Sequence, residues 1–117
     1  MSYLFLWYPK CSTCQKAKKW LDENGIDYTA RDIKEEHPNA TELELWQAKS
    51  DLPLKRFFNT SGLLYKEMKL KEKLPDMETK EQFALLATDG MLVKRPLLIG
   101  EKQVFAGFKA EQWDVLK

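Results

Sequence analysis

The feature that most constrains this chain is Cys11-Ser12-Thr13-Cys14, set where an apolar run, Tyr3-Leu4-Phe5-Leu6-Trp7, gives way to a helix-forming run from Gln15 to Leu21. A strand that hands a C-x-x-C pair to the first turn of a helix places the leading sulfur beside backbone N–H groups without intrahelical partners, at the positive end of the helix dipole. That setting favours thiolate over thiol, and thiolate is the nucleophile. These are the only two cysteines in 117 residues, so no disulfide framework is available. None is needed, because a chain of this length buries about two-thirds of its unfolded surface as one domain, here residues 1–117.

Lysine and arginine number 19 against 18 acidic residues, interspersed, which leaves no broad field of one sign for a nucleic-acid backbone or an anionic membrane. No stretch approaches the roughly 18 consecutive apolar residues of a membrane span. The opening apolar run has no basic segment ahead of it and is broken by Pro9 and Lys10, so it reads as a buried strand and not a signal peptide. The expected location is the cytoplasm, where thiols are kept reduced and a close cysteine pair points to redox chemistry or metal binding. Zinc is the weaker of those two, since there is no second cysteine pair and His37, beside Pro38 in a turn, is the sole histidine.

Along the chain, Cys14, Ala17, Trp20 and Leu21 fall on one face of a helix that stops at Asn24-Gly25. Asp27 to Ile33 alternates as a second strand, and the helix between the two strands makes them parallel. Thr41 with Glu44, and Thr79 with Gln82, read as capping boxes that open two further helices. Between them Leu54–Phe58 reads as a single helical turn, and Leu63 to Leu70 as a short helix with Leu64, Tyr65 and Met68 inward. Leu97–Ile99, Gly100-Glu101-Lys102 and Gln103–Ala106 form a hairpin, and Ala110 to Leu116 a closing helix. The tryptophans at 20, 46 and 113 sit at helical period with other apolar residues, as core does. The order βαβ, a helical block over about residues 41–89, then ββα predicts an α/β thioredoxin-like fold with a mixed sheet.

Three patches together resemble the arsenate reductase/Spx family of thioredoxin-like proteins, closest to its short glutaredoxin-like members. They are Tyr8-Pro9-Lys10-Cys11-Ser12-Thr13-Cys14 with Lys16-Ala17, then Lys94-Arg95-Pro96-Leu97-Leu98-Ile99, and Val104-Phe105-Ala106-Gly107-Phe108. The resemblance implies that Cys11 is the nucleophile and that Arg95, before a cis Pro96, lies across from it to stabilise the thiolate and receive an oxyanion. Pro96 would present backbone to a substrate, and Ser12 and Thr13 would add local hydrogen bonds. The reductases of the family carry two further arginines where this chain has Asn59 and Gly107; Arg56, one turn before Asn59, is a candidate to substitute, which the sequence alone does not show. Those losses, and a second thiol at Cys14 where such reductases recruit an external one, weigh against arsenate as substrate. They favour thiol–disulfide exchange through Cys11 and Cys14, with no bound cofactor and an external reductant of glutathione, glutaredoxin or thioredoxin type. Spx-type regulators share the C-x-x-C switch and bind the RNA polymerase α subunit, which makes a redox-sensing regulator the rival expectation. On spacing alone the bland alternatives are two inert core thiols and an Arg95 spent on a surface ion pair.

Overall fold

β1, Tyr3–Trp7, is the central support: its residues Phe5 and Leu6 have no exposed surface, one turned to each face of the sheet. The computed structural model describes residues 2–117. α1, Ser12–Glu23, returns the chain antiparallel to β1, and β2, Tyr28–Asp32, pairs with β1 in parallel from Tyr3 opposite Tyr28 to Trp7 opposite Asp32. The hairpin of β3, Leu97–Ile99, and β4, Val104–Ala106, adds antiparallel strands on the other side, giving the order β2-β1-β3-β4.

The helical block runs through α2, Ala40–Ser50; α3, Leu63–Glu67; α4, Leu70–Lys73; and α5, Thr79–Leu86. It covers one face of the sheet with a core that includes Leu6, Leu43, Phe57, Phe58, Leu86 and Leu97. α1 and the closing helix α6, Ala110–Trp113, which continues as a turn of 3₁₀ helix to Leu116, cover the other. There Phe5, Ala17, Leu21, Leu98 and Trp113 pack together, with Phe108 edge-on to the Trp113 ring at 4.8 Å. Trp46 and Trp113 are core, as their period predicts, while Trp20 is half-buried.

Both expected capping boxes form earlier in the chain than the spacing suggested, the first by two residues and the second by one, and so with different partners. Asn39 accepts from the Glu42 N–H at 2.8 Å, and Glu42 accepts in return from the Asn39 N–H at 3.1 Å. Glu78 and Glu81 form the second box in place of Thr79 and Gln82. Glu42 is also held by Arg31 through two contacts of 2.8 and 2.9 Å, a bond across elements that helix spacing does not reveal. The helix expected over Leu63 to Leu70 is two, because Lys69 takes a left-handed conformation (φ 55°) that ends one and starts the other. Gly90 is required by close packing: a Cβ there would run into the Ile33 carbonyl.

Candidate active site

The sequence delivers Cys11 to the site by ending β1 at Trp7 and turning through Pro9 and Lys10, with the Cys11 N–H bonded to the Tyr8 carbonyl at 2.9 Å. Cys11 is the residue that caps α1 at its N-terminal end, and no acidic side chain occupies the first turn. The sulfur does not reach regular capping geometry, but the Cys14 N–H is turned toward it. Burial by itself would raise the Cys11 pKa. The Cys14 N–H, the Cys14 thiol and the charge of Arg95 outweigh burial and hold Cys11 below the ordinary thiol range.

Cys14 lies one turn further in, with no exposed surface. Burial pushes its thiol up to about 12, and the neighbouring Cys11 sulfur adds to the rise. Both cysteines are free thiols in this structure.

Arg95 precedes Pro96 across a cis bond, as expected from the family resemblance. Its guanidinium stands over the Tyr8 ring at 5.4 Å, and Nε and Nη1 are buried without a hydrogen-bond partner among the described residues. An ordinary surface ion pair for Arg95 is therefore excluded within those residues. A fork with unspent donors beside a thiolate acts on it chiefly through charge and can still receive an anion.

A short ladder built by the helical block fixes what stands opposite. Phe58 bridges Val93, the Asn59 N–H bonds the Leu92 carbonyl at 2.8 Å, and the Lys94 N–H bonds the Phe57 carbonyl at 2.8 Å. These three contacts carry Arg56 and Asn59 to the side of Lys94 and Arg95. On the far wall, Gly107 (φ 86°) makes the turn into α6 and donates its N–H to the Pro96 carbonyl at 2.8 Å. The result is a cavity of about 300 Å³ lined by Cys11, Thr13, Asn59, Arg95 and Gly107, with Arg56, Lys94 and Lys109 around them.

Of the residues singled out from the sequence, Cys11, Thr13, Asn59 and Arg95 meet at this cavity, and Cys14 sits at the base of the same helix turn. Ser12 is exposed and lies outside the lining, and Pro96 is buried with its carbonyl already spent on Gly107. The backbone open to a substrate at this loop is that of Arg95, whose N–H and carbonyl have no partner among the described residues. Lys94 and Lys109 were missed as site residues. Each adjoins a quoted motif, but only the ladder and the Gly107 turn bring the two together.

The ArsC family model matches residues 6–116. The chain belongs to that family. It is 53% identical over 114 residues to the uncharacterized protein YusI of Bacillus subtilis, covering 97% of each chain. A solved structure from Bacteroides fragilis described as ArsC family related matches with a TM-score of 0.96 and 60% identity, over 100% of this chain and 98% of that one. The Global transcriptional regulator Spx of Staphylococcus haemolyticus is 27% identical over 104 residues, which is 89% of this chain and 78% of Spx. The mixed sheet with its helical block is the thioredoxin-like fold of the ArsC structures. Within this ArsC site, Asn59 and Gly107 line the cavity as neutral groups, and the positive charge beyond Arg95 comes from Arg56, Lys94 and Lys109.

Proposed function

We propose that the chain is a thiol–disulfide oxidoreductase in which Cys11 is the nucleophile and Cys14 the resolving thiol. The observation that carries this is the split between two thiols one helical turn apart. Cys11 opens on the cavity and is held below the ordinary thiol range, while Cys14 is sealed beneath it and pushed up to about 12. The Cys11 thiolate attacks one sulfur of a substrate disulfide; that S–S bond breaks, the departing sulfur takes a proton from solvent, and a mixed disulfide is left on Cys11. Bonding removes the negative charge from Cys11, and with it part of what keeps Cys14 protonated. Cys14 then gives its proton to water and attacks the Cys11 sulfur, releasing the second substrate thiol. Two electrons have passed to the substrate, and a Cys11–Cys14 disulfide remains. An external thiol of glutathione, glutaredoxin or thioredoxin type returns both electrons. Thr13 and Asn59 serve as substrate contacts, and Arg95 steadies the thiolate whenever it is free.

Two narrower readings have their own support. The cationic lining of the cavity suits an oxyanion, which favours arsenate reduction at Cys11 with an external thiol. The 27% identity to Spx favours a redox-gated regulator that binds the RNA polymerase α subunit without turnover.

The test is equilibration in glutathione buffers of graded potential, with free thiols counted by mass after alkylation. A single reversible transition that removes both thiols together is expected. Two thiols that never couple would overturn the mechanism and return the site to single-cysteine chemistry. Steady reduction of a small disulfide then separates the enzyme from the regulator, which instead shows saturable, redox-dependent binding to the α subunit and no turnover.

A further inference from the structure

β4 is the last strand of the sheet, and no strand covers its outer side among the described residues. Its register decides which backbone groups face outward. Phe105 stands opposite Leu98, the Gly107 N–H bonds the Pro96 carbonyl at 2.8 Å, and the Gly100 N–H bonds the Gln103 carbonyl at 2.7 Å. In an antiparallel pair the residues between such bonded positions turn their N–H and C=O away from the partner strand. Those residues are Val104 and Ala106. Both residues belong to the core of the α2–α5 face and keep 7% and 8% of their surface exposed.

That edge is the floor of a groove. A second cavity, of about 550 Å³, is lined by Val104 and Ala106, with the end of α2 (Lys49, Ser50) on one side and the closing helix (Gln112, Val115) on the other. It shares Arg56, Ala106 and Gln112 with the Cys11 cavity, so the two are continuous. Val115, 67% exposed, gives the outer wall an apolar spot.

The charge is one-sided. Lys49, Arg56, Lys94, Arg95, Lys102 and Lys109 line the two cavities against only Asp51 and Glu111, in a chain whose net charge is +1. None of the six cations is in an ion pair among the described residues. A strand edge with no neighbouring strand, leading into a reactive sulfur and rimmed by cations outside any ion pair among the described residues, suits one kind of occupant.

We propose that an extended, acidic segment of a protein substrate adds to β4 as a fifth strand, pairing with the outward backbone groups of Val104 and Ala106 and carrying its own sulfur past Ala106 to Cys11. The strand pairing stands on the sheet edge; only what happens at the sulfur rests on the redox reading above. Backbone pairing supplies affinity without reading sequence, and the cations select acidic side chains that alternate toward the groove walls.

The experiment uses the full chain and a blocked, cysteine-free peptide that alternates glutamate with valine or threonine. Amide hydrogen exchange is followed residue by residue by NMR at saturating peptide. Exchange at Val104 and Ala106 is expected to slow by about tenfold or more, with Phe105, already bonded to β3, unchanged. Two further peptides sharpen this: one N-methylated at alternate residues, so that it cannot donate to the edge, and one with lysine for glutamate. Both should lose the protection. Unchanged exchange at Val104 and Ala106, or equal protection by all three peptides, would overturn the proposal. Because the peptide has no sulfur, its failure leaves the thiol chemistry untouched. Conversely, reduction of a small uncharged disulfide tests that chemistry without engaging the groove.

Discussion

Cys11 and Cys14 belong to one turn of α1, yet they occupy different media. Cys11 stands at the mouth of a cationic cavity, and Cys14 lies one turn beneath, the buried floor of that helix turn and not part of the cavity lining, with no exposed surface. The pKa of the first is lowered and that of the second is raised to about 12. Spacing alone gives two thiols an equal claim to reactivity. The difference between them comes from what surrounds each: at Cys11 a partial burial is outweighed by the Cys14 N–H and thiol together with the charge of Arg95, while at Cys14 desolvation dominates. A C-x-x-C pair is thus made directional by the wall opposite it, and here the helical block helps to build that wall.

The most drastic way to break the contrast is to remove the mouth thiol. Cys11→Ser should cut disulfide exchange by at least about a thousandfold, since a serine hydroxyl does not ionise at neutral pH; substantial turnover by that variant would reassign the nucleophile. Next comes the floor. Cys14→Ser should accumulate the Cys11 mixed disulfide, visible as a stable adduct by mass. It should also cost about 1–3 kcal/mol in urea unfolding, because a hydroxyl replaces a buried thiol. The same burial has a pH signature. The native state keeps Cys14 protonated, while the unfolded chain ionises it near about 8.5. The stabilising effect of burial is therefore complete below that pH and is lost as pH rises toward about 12. Cys14→Ala should flatten this alkaline fall in stability, and an unaltered slope would mean that another group causes it. The smallest expected effect is at the wall. Arg95→Ala should raise the Cys11 pKa and slow its alkylation at neutral pH several-fold, because a favourable charge is removed while the Cys14 N–H remains.

Much of this was legible in the residues. The strand-to-helix placement of Cys11 and Cys14, the parallel pairing of β1 and β2, the hairpin from Leu97 to Ala106 and the cis bond before Pro96 all appear as expected. The first three have local signals in period, turn residues or a short motif, whereas the cis bond was implied only by the family resemblance. The first cap was misread because Asn39 with Glu42 also fits a box, and which residue caps depends on where the helix is pinned by contacts such as Arg31 with Glu42; the second was misread because Glu78 is not a residue type that the pattern selects. The break at Lys69 carries no glycine or proline to mark it. The substrate side of the site was the least visible. Pro96 spends its carbonyl on Gly107, while Lys94 and Lys109, far apart in sequence, meet only because residues 57–59 pair with 92–94 and Gly107 turns the chain back. Long-range pairing of that kind leaves no trace in local spacing.

The measurement that tests the central claim most directly is the rate of iodoacetamide modification of each cysteine across pH, resolved by peptide mass mapping. Cys11 should react first, with a midpoint below the ordinary thiol value of about 8.5, while Cys14 stays unmodified until strongly alkaline pH, near its value of about 12. Equal rates at the two positions, or a Cys11 midpoint at or above that of a free thiol, would contradict the division of labour between mouth and floor.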